Sequence, residues 1–281
     1  MEQAITQVRA EVKEKRTLIP KRWMTHIALW IACFLVGFPL LYAMLVSTQT
    51  NAEVTNFQLT PGSSFEQNIR AVMVNRNLGD YMLNSTLQAV LITVGKTILS
   101  LLAGLAFVYF RFPGKWIVFG FVLVTLMMPT EIMVIALFRL MSELGWGQLP
   151  ALTVPFLASA TGAFLFRQHF ANLPAELSEA AQLDGANPLQ FLFMVLIPLS
   201  WNTIGALAVI QFVYVWNMYL WPQLLQADVV QVGLGSLLNF DGALSYGPMM
   251  MGAVIASLPP VFVFLMLQRQ FMKGFAISAD K

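Results

Sequence analysis

Cysteine occurs once in these 281 residues, at Cys33, and histidine only twice, at His26 and His169. One thiol leaves no disulfide or thiolate cluster to form. The two histidines are far apart in sequence and share no ligand spacing, so no metal site is expected. Charge is scarce as well: Asp, Glu, Lys and Arg together supply 11% of the chain, against roughly 25% in soluble domains. That scarcity excludes an ordinary soluble domain of this length. No pair of carboxylates, histidine cluster or activated nucleophile converges by spacing, so no catalytic residue is assigned and an enzyme is not expected.

What fills the chain is apolar. Hydrophobic side chains make up 58% of it and the mean hydropathy is +0.69. Several runs approach or exceed the roughly 20 residues that cross about 30 Å of hydrocarbon as a helix, and a helix satisfies its own backbone polar groups there. The pattern predicts an all-α polytopic membrane protein with six transmembrane helices, near 24–46, 81–110, 116–138, 150–170, 191–220 and 248–268. A tail at 1–23, one transmembrane domain at 24–268 and a tail at 269–281 follow. The run at 24–46 is too long for a signal-peptide core and lacks a small-residue cleavage site, so it is expected to be retained.

The basic residues orient the bundle. With the N-terminus inside, Arg9, Lys13, Lys15, Arg16, Lys21, Arg22, Arg111, Lys115, Arg167, Arg269, Lys273 and Lys281 are cytoplasmic, and only Arg70, Arg76 and Arg139 lie outside. This asymmetry follows the positive-inside rule and places both termini in the cytoplasm. A basic tail can also serve as a nucleic-acid arm, but topology already accounts for the charge, and no nucleic-acid partner is expected. The loop 47–80 is the largest outer one. Arg111-Phe112-Pro113-Gly114-Lys115 reads as a tight inner turn, Gly145-Trp146-Gly147 as an outer one, and 221–247 as a third outer loop. Pro259-Pro260 is expected to break the last span.

In the second span, Leu83, Leu87, Val90, Leu91, Val94, Ile98 and Leu101 share one arc at 100° per residue. Asn84, Ser85, Gln88, Thr93, Gly95, Lys96 and Ser100 fill much of the other side. A polar face inside a bilayer meets either protein or a water-filled cavity: it lines a passage, with Asn84, Gln88 and Lys96 as candidates, or it supplies interhelical hydrogen bonds. Lys96 and Glu131 are the deepest ionisable residues, at matching depth. They form a mutual ion pair, or Lys96 faces the passage where a cation favours an anionic substrate, or the two relay protons. Gly95-Lys96-Thr97 imitates the end of a phosphate-binding loop, but the glycine required five positions earlier is Val90 and the strand context is missing.

Residues 172–190 form a polar-bounded loop between two apolar stretches. Asn172-Leu173-Pro174 opens a helix too short to span, with Glu176 and Glu179 near its start, where negative charge suits the macrodipole. Gly185 offers the left-handed conformation that ends a helix, and Asn187-Pro188 start the next one. By itself such a helix could equally lie flat on lipid. The run Glu179-Ala180-Ala181, followed by Asp184-Gly185 and Pro198, resembles the EAA loop of binding-protein-dependent ABC importer permeases. The bulky aromatic of this stretch stands here at Phe191 and Phe193 rather than at Leu192.

The resemblance covers most of the chain. Asn84-Ser85, Phe110 to Gly114, Trp216-Asn217 with Leu220-Trp221-Pro222, and Gln268-Arg269 with Lys273-Gly274 look like the carbohydrate-importer branch, of the maltose type. The stretches 94–100 and 157–170 are most similar to permeases for sn-glycerol-3-phosphate. The resemblance implies the type I importer permease fold in a bacterial inner membrane. It implies a substrate that is sn-glycerol-3-phosphate or a sugar, and Glu179, Ala180, Ala181, Asp184 and Gly185 as the residues facing an ATPase. The implied partners are an ABC ATPase dimer holding ATP and Mg, a second homologous permease subunit and an extracytoplasmic substrate-binding protein. This chain itself would bind no cofactor. The rival reading is an ATP-independent secondary transporter or channel, which would normally show inverted repeats and interrupted midplane helices; neither is clear here.

Overall fold

The computed structural model describes residues 22–237, 239–240 and 243–276; the basic tail before Arg22 and Lys281 lie outside the described residues. The first span is α1 (Arg22–Val46), and the outer loop after it carries α2 (Asn51–Thr55), α3 (Phe65–Arg70) and a wide turn at Ala71–Asn75. The second span is α4 (Leu78–Tyr109); its 32 residues run about 48 Å at 1.5 Å per residue, longer than the hydrocarbon is thick. The third is divided into α5 (Lys115–Thr125) and α6 (Thr130–Glu143), and the fourth joins α7 (Gln148–Thr153) to α8 (Ala160–Ala171) through a tight turn at Val154–Phe156. A short helix, α9 (Ala175–Leu183), precedes the fifth span. That span comprises α10 (Pro188–Phe191), a wide turn at Leu192–Leu196, α11 (Ile197–Leu199) and α12 (Trp201–Trp216). The outer loop beyond holds α13 (Leu220–Leu224), α14 (Val230–Leu237) and a hairpin pairing Asn239–Phe240 with Ala243–Leu244, before the last span, α15 (Tyr246–Ala276).

Among the described residues six apolar segments are therefore present, and five helices are long and apolar enough to cross a membrane by themselves. The third is not one continuous helix. Pro129 has no N–H to offer and disfavours helical backbone at Met128, so the chain tightens at Leu126–Met128 with three-residue turns and restarts with Pro129 as the cap of α6.

The largest packing contacts are α12 along α15 and α4 against α8 and α12. Two apolar clusters result. One contains Leu78, Ala89, Ile92, Phe212, Trp216, Trp221, Val230 and Met251; the other contains Leu101, Leu105, Phe166, Phe170, Phe191, Leu196 and Leu207. The α4 face divides as its periodicity predicts: Leu83, Leu87, Val90, Val94 and Ile98 are exposed on the single chain, whereas Ser85, Gln88, Thr93, Lys96 and Ser100 are buried. Leu101 departs from that arc and packs inside the second cluster, because α8 crosses α4 there. The large apolar surface left on the outside of the bundle is what lipid and partner helices cover.

The expected break at Pro259-Pro260 does not occur, since α15 runs straight through both prolines. A proline at 260 cannot donate to the carbonyl of Ala256, and an orphaned carbonyl in an apolar core is costly. Trp216 removes that cost, its buried indole Nε1 donating to Ala256 O at 3.1 Å. The same solution recurs in the fourth span, where Pro155 leaves the carbonyl of Ala151 without its helical donor. There Trp221 Nε1 donates to Ala151 O at 3.2 Å. Two interior prolines are thus tolerated because two tryptophans from the fifth segment and its following loop replace the missing N–H groups.

Trp216→Phe is expected to cost about 1 kcal/mol of stability beyond its packing change, seen as a lower unfolding midpoint in detergent. In a Pro260→Ala background the backbone N–H returns, and the same substitution should cost measurably less. Equal penalties in both backgrounds would show that the indole bond does not compensate the proline.

Candidate functional site

The segment after α8 is built from its two ends. Leu173 N donates to Phe170 O and Asn172 Nδ2 to Gln168 O, which closes α8. Pro174, with φ −57° and ψ 135°, then turns the chain into α9. At the far end Gly185 N donates to Gln182 O at 3.1 Å and Ala186 N to Ala181 O at 2.9 Å, with Gly185 at φ +74°. This pair of bonds is the Schellman closure, and it needs the left-handed residue at its centre. Asn187 immediately opens α10: its Oδ1 accepts from Gln190 N at 2.9 Å, and Gln190 Oε1 accepts from Asn187 N at 2.8 Å. Pro188 occupies the first helical position, where its missing N–H costs nothing.

Between these pins α9 buries no residue at all. Glu179, Ala180, Asp184 and Gly185 are exposed, and Leu183 is 89% exposed. Ala181 is different: it is half-buried and, with Leu173, leans on the cluster of Leu101, Phe166, Phe170 and Phe191. A short helix is thereby clamped to the end of the bundle along one edge and left unpartnered along the other. Beneath it the wide turn at Leu192–Leu196 brings Phe191 and Leu192 inward together, Phe191 meeting Tyr109 edge-on at 5.0 Å, while Phe193 stays exposed. The displaced aromatic is therefore a core residue of this junction.

The polar face of α4 does several different things. Asn84 Nδ2 donates to Asp228 O at 2.9 Å and Ser85 Oγ accepts from Val230 N at 2.7 Å, so this pair ties the outer loop to the start of the span. Gln88 is buried, its Nε2 has no hydrogen-bond partner, and it borders a cavity of about 150 Å³ together with Asn84, Gln148, Leu152 and Asp228. Lys96 is 7% exposed; its Nζ donates to Gln211 Oε1 at 2.9 Å and lies 5.1 Å from the centre of the Tyr214 ring. It lies where the two apolar clusters meet on α4 and α12. The Glu131 side chain lies outside the described residues; the described partners of Lys96 are this amide and this ring.

Tyr214 is half exposed and forms one wall of a cleft of about 340 Å³ with Val134, Val213, Asn217, Met218 and Trp221. Lys96 thus stands one side chain behind the cleft. Gln211 and Tyr214 escaped notice in the sequence, although Gln211 is the one amide between Thr203 and Asn217 and Tyr214 follows it on the same helical face. No group of three or more potential metal ligands occurs among the described residues.

Comparison with known proteins places these features. Residues 96–276 match the family model described as the binding-protein-dependent transport system inner membrane component. The chain is similar to the sn-glycerol-3-phosphate transport system permease protein UgpE of Pectobacterium atrosepticum, with 38% identity over 268 residues, or 90% of this chain and 95% of that protein. The protein of the same description from Yersinia pestis is 39% identical over 267 residues, again 90% of this chain and 95% of the relative. Among solved structures, a bacterial ABC transporter involved in the import of the acidic polysaccharide alginate superposes with a TM-score of 0.75 at 23% identity, over 88% of this chain and 95% of that one. An alginate ABC transporter in complex with an alginate pentasaccharide-bound periplasmic protein gives 0.54 at 18% identity, over 87% and 92%. At these identities the two structures establish the fold.

Proposed function

The chain belongs to the binding-protein-dependent transport system inner membrane components, and from that premise we propose that it forms half of the passage of an importer whose substrate is an anionic polyol phosphate of the sn-glycerol-3-phosphate kind. It is a transport permease of an ABC importer rather than an enzyme, and ATP is used on the partner ATPase. A second homologous permease completes the passage, an ATPase dimer binds at the α9 end, and a substrate-binding protein docks on the outer loops. Residues 24–268 form the transmembrane domain, with the tails 1–23 and 269–281 in the cytoplasm. The basic residues of the tails and inner turns support that orientation.

The observation that carries the coupling reading is α9 itself. A helix that buries none of its residues fully, exposes a leucine almost completely along its free edge and is fixed at both ends has the form of a docking element awaiting a partner. We assign Glu179, Ala180, Asp184 and Gly185 to the surface that meets the ATPase, and Ala181 to the hinge side that transmits its movement to the bundle. Closure of the ATPases would move α9 as a rigid lever and switch the spans between two states of access. Because Cys33 is the single native thiol, a Cys33→Ser background with Leu183→Cys gives a clean test. A cross-link from position 183 to the ATPase in native membranes is the expected product; its consistent absence there would end the lever model.

For the passage, Gln88 and Lys96 carry the assignment, while Asn84 serves mainly to anchor the outer loop. A cation held one side chain behind the Tyr214 wall raises the positive potential of the cleft without meeting solvent, which favours an anionic substrate. Lys96→Met is expected to lower uptake of radiolabelled glycerol-3-phosphate at least about fivefold, the equivalent of about 1 kcal/mol of lost attraction, with the assembled complex recovered in normal amounts. Unchanged uptake would remove Lys96 from substrate selection. Loss of assembly in both Lys96→Met and Glu131→Gln would favour a structural ion pair instead.

A further inference from the structure

The turn between α4 and α5 gathers cations that the transport model leaves unused. Lys115 Nζ donates to the carbonyl oxygen of Phe110 at 3.0 Å and contacts that of Val108 at 3.5 Å, and it lies 6.0 Å from the Trp116 ring centre. Arg167, reaching across from α8, stands 5.4 Å from the Trp116 ring and 4.9 Å from that of Phe119. These partners are carbonyl dipoles and ring faces, which position a cation without neutralising it. The ion pair of Arg70 with Glu66 is at the other end of α4, and neither Lys115 nor Arg167 is paired with a described carboxylate. The charge of Lys115 and Arg167 is therefore uncompensated by any described carboxylate.

Beside them opens a cleft of about 470 Å³ lined by Arg111, Phe112, Gly114, Lys115, Trp116 and Ile117. It continues onto an apolar surface, with Trp116 at 66%, Phe121 at 69% and Ile117 at 80% exposure. Cations at the mouth, an indole at the boundary and aliphatic and aromatic side chains beyond it reproduce, in order, a phosphate headgroup, the interfacial layer and acyl chains. We propose that this cleft binds an anionic phospholipid of the phosphatidylglycerol type, with Arg111, Lys115 and Arg167 around the phosphate and the acyl chains along Trp116, Ile117 and Phe121. The site lies at the α9 end of the bundle, since Tyr109 packs on Phe170 and Phe191. It depends on the spans crossing a bilayer and not on the identity of the substrate.

The test is a phosphatidylglycerol titration of the detergent-purified, assembled transporter, with retained lipid counted by native mass spectrometry. The variant Arg111→Gln/Lys115→Gln/Arg167→Gln should bind phosphatidylglycerol at least about tenfold more weakly than the parent, since each interfacial cation contributes about a fivefold factor. Phosphatidylcholine should be retained equally by both. Arg111→Gln alone, at an exposed position, should show about a fivefold loss and keeps the test open if the triple variant fails to assemble. Undiminished phosphatidylglycerol binding in Arg111→Gln and the triple variant overturns the proposal. So does displacement of the lipid by soluble glycerol phosphate, which would mark a free-anion site, or loss of the ATPase subunit with lipid retained, which would assign the cleft to a protein contact.

Discussion

Gly185→Val is expected to cut substrate uptake per ATP hydrolysed about tenfold or more, through strain of about 1–3 kcal/mol at a single backbone position. Gly185 holds φ +74° between two hydrogen bonds that close α9, and a Cβ added there would meet nothing within 4 Å. The penalty is therefore conformational and not steric. A β-branched residue in the left-handed region is a true outlier, whereas asparagine enters it at little cost. Gly185→Asn should consequently stay within about twofold of the parent. In the valine variant the Schellman closure opens, α9 is no longer clamped between its two pins, and movement of the ATPase is absorbed in the loop. Reconstituted transporter with parallel assays of ATP hydrolysis and uptake measures the ratio directly. A valine variant that transports with the parent's ratio would show that the left-handed break is not part of the coupling.

Gly104→Ala is expected to destabilise the bundle by about 1–3 kcal/mol, the usual cost of forcing extra atoms into a packed core, and Gly104→Val by more. At this point α4 and α8 touch almost backbone to backbone. A Cβ on residue 104 would lie 2.7 Å from the Cβ of Phe166 and 3.0 Å from its backbone carbon, and Phe166 is completely buried. Neither atom is the tip of a flexible side chain, so relief requires the two spans to separate. Close approach at small residues is how membrane helices gain packing energy without a hydrophobic drive between them. The control is Gly120→Ala in α5, where an added Cβ meets nothing within 4 Å and the higher helix propensity of alanine should leave stability unchanged or slightly raised. Unfolding midpoints in one detergent compare the pair. Equal midpoints for the two alanine variants would contradict the close packing of α4 on α8.

The phospholipid cleft and the coupling helix share one end of the molecule, joined by Tyr109, Phe170 and Phe191. If lipid at Arg111, Lys115 and Arg167 stiffens that junction, its removal should alter coupling even with the ATPase fully bound. The Trp216 and Trp221 bonds act elsewhere: each supplies a donor to a carbonyl, Ala256 O or Ala151 O, that a proline four positions on cannot serve.

Composition and periodicity alone settled the membrane class, because 11% charge and repeated apolar runs leave a chain no other solvent in which to bury itself. They also placed all six segments, the polar face of α4 and the glycine stop at 185. Those are local properties, fixed by side-chain period and backbone dihedral preference. Tertiary structure decided the rest. Pro259 and Pro260 leave α15 unbroken because Trp216, forty positions away from Ala256, donates the bond that proline cannot. Lys96 meets Gln211 and Tyr214, Asn84 and Ser85 hold the 228–230 loop, and Arg167 joins Lys115 around Trp116. Each of these pairings spans forty to over a hundred residues, and no local pattern reports which helix will arrive opposite a given face.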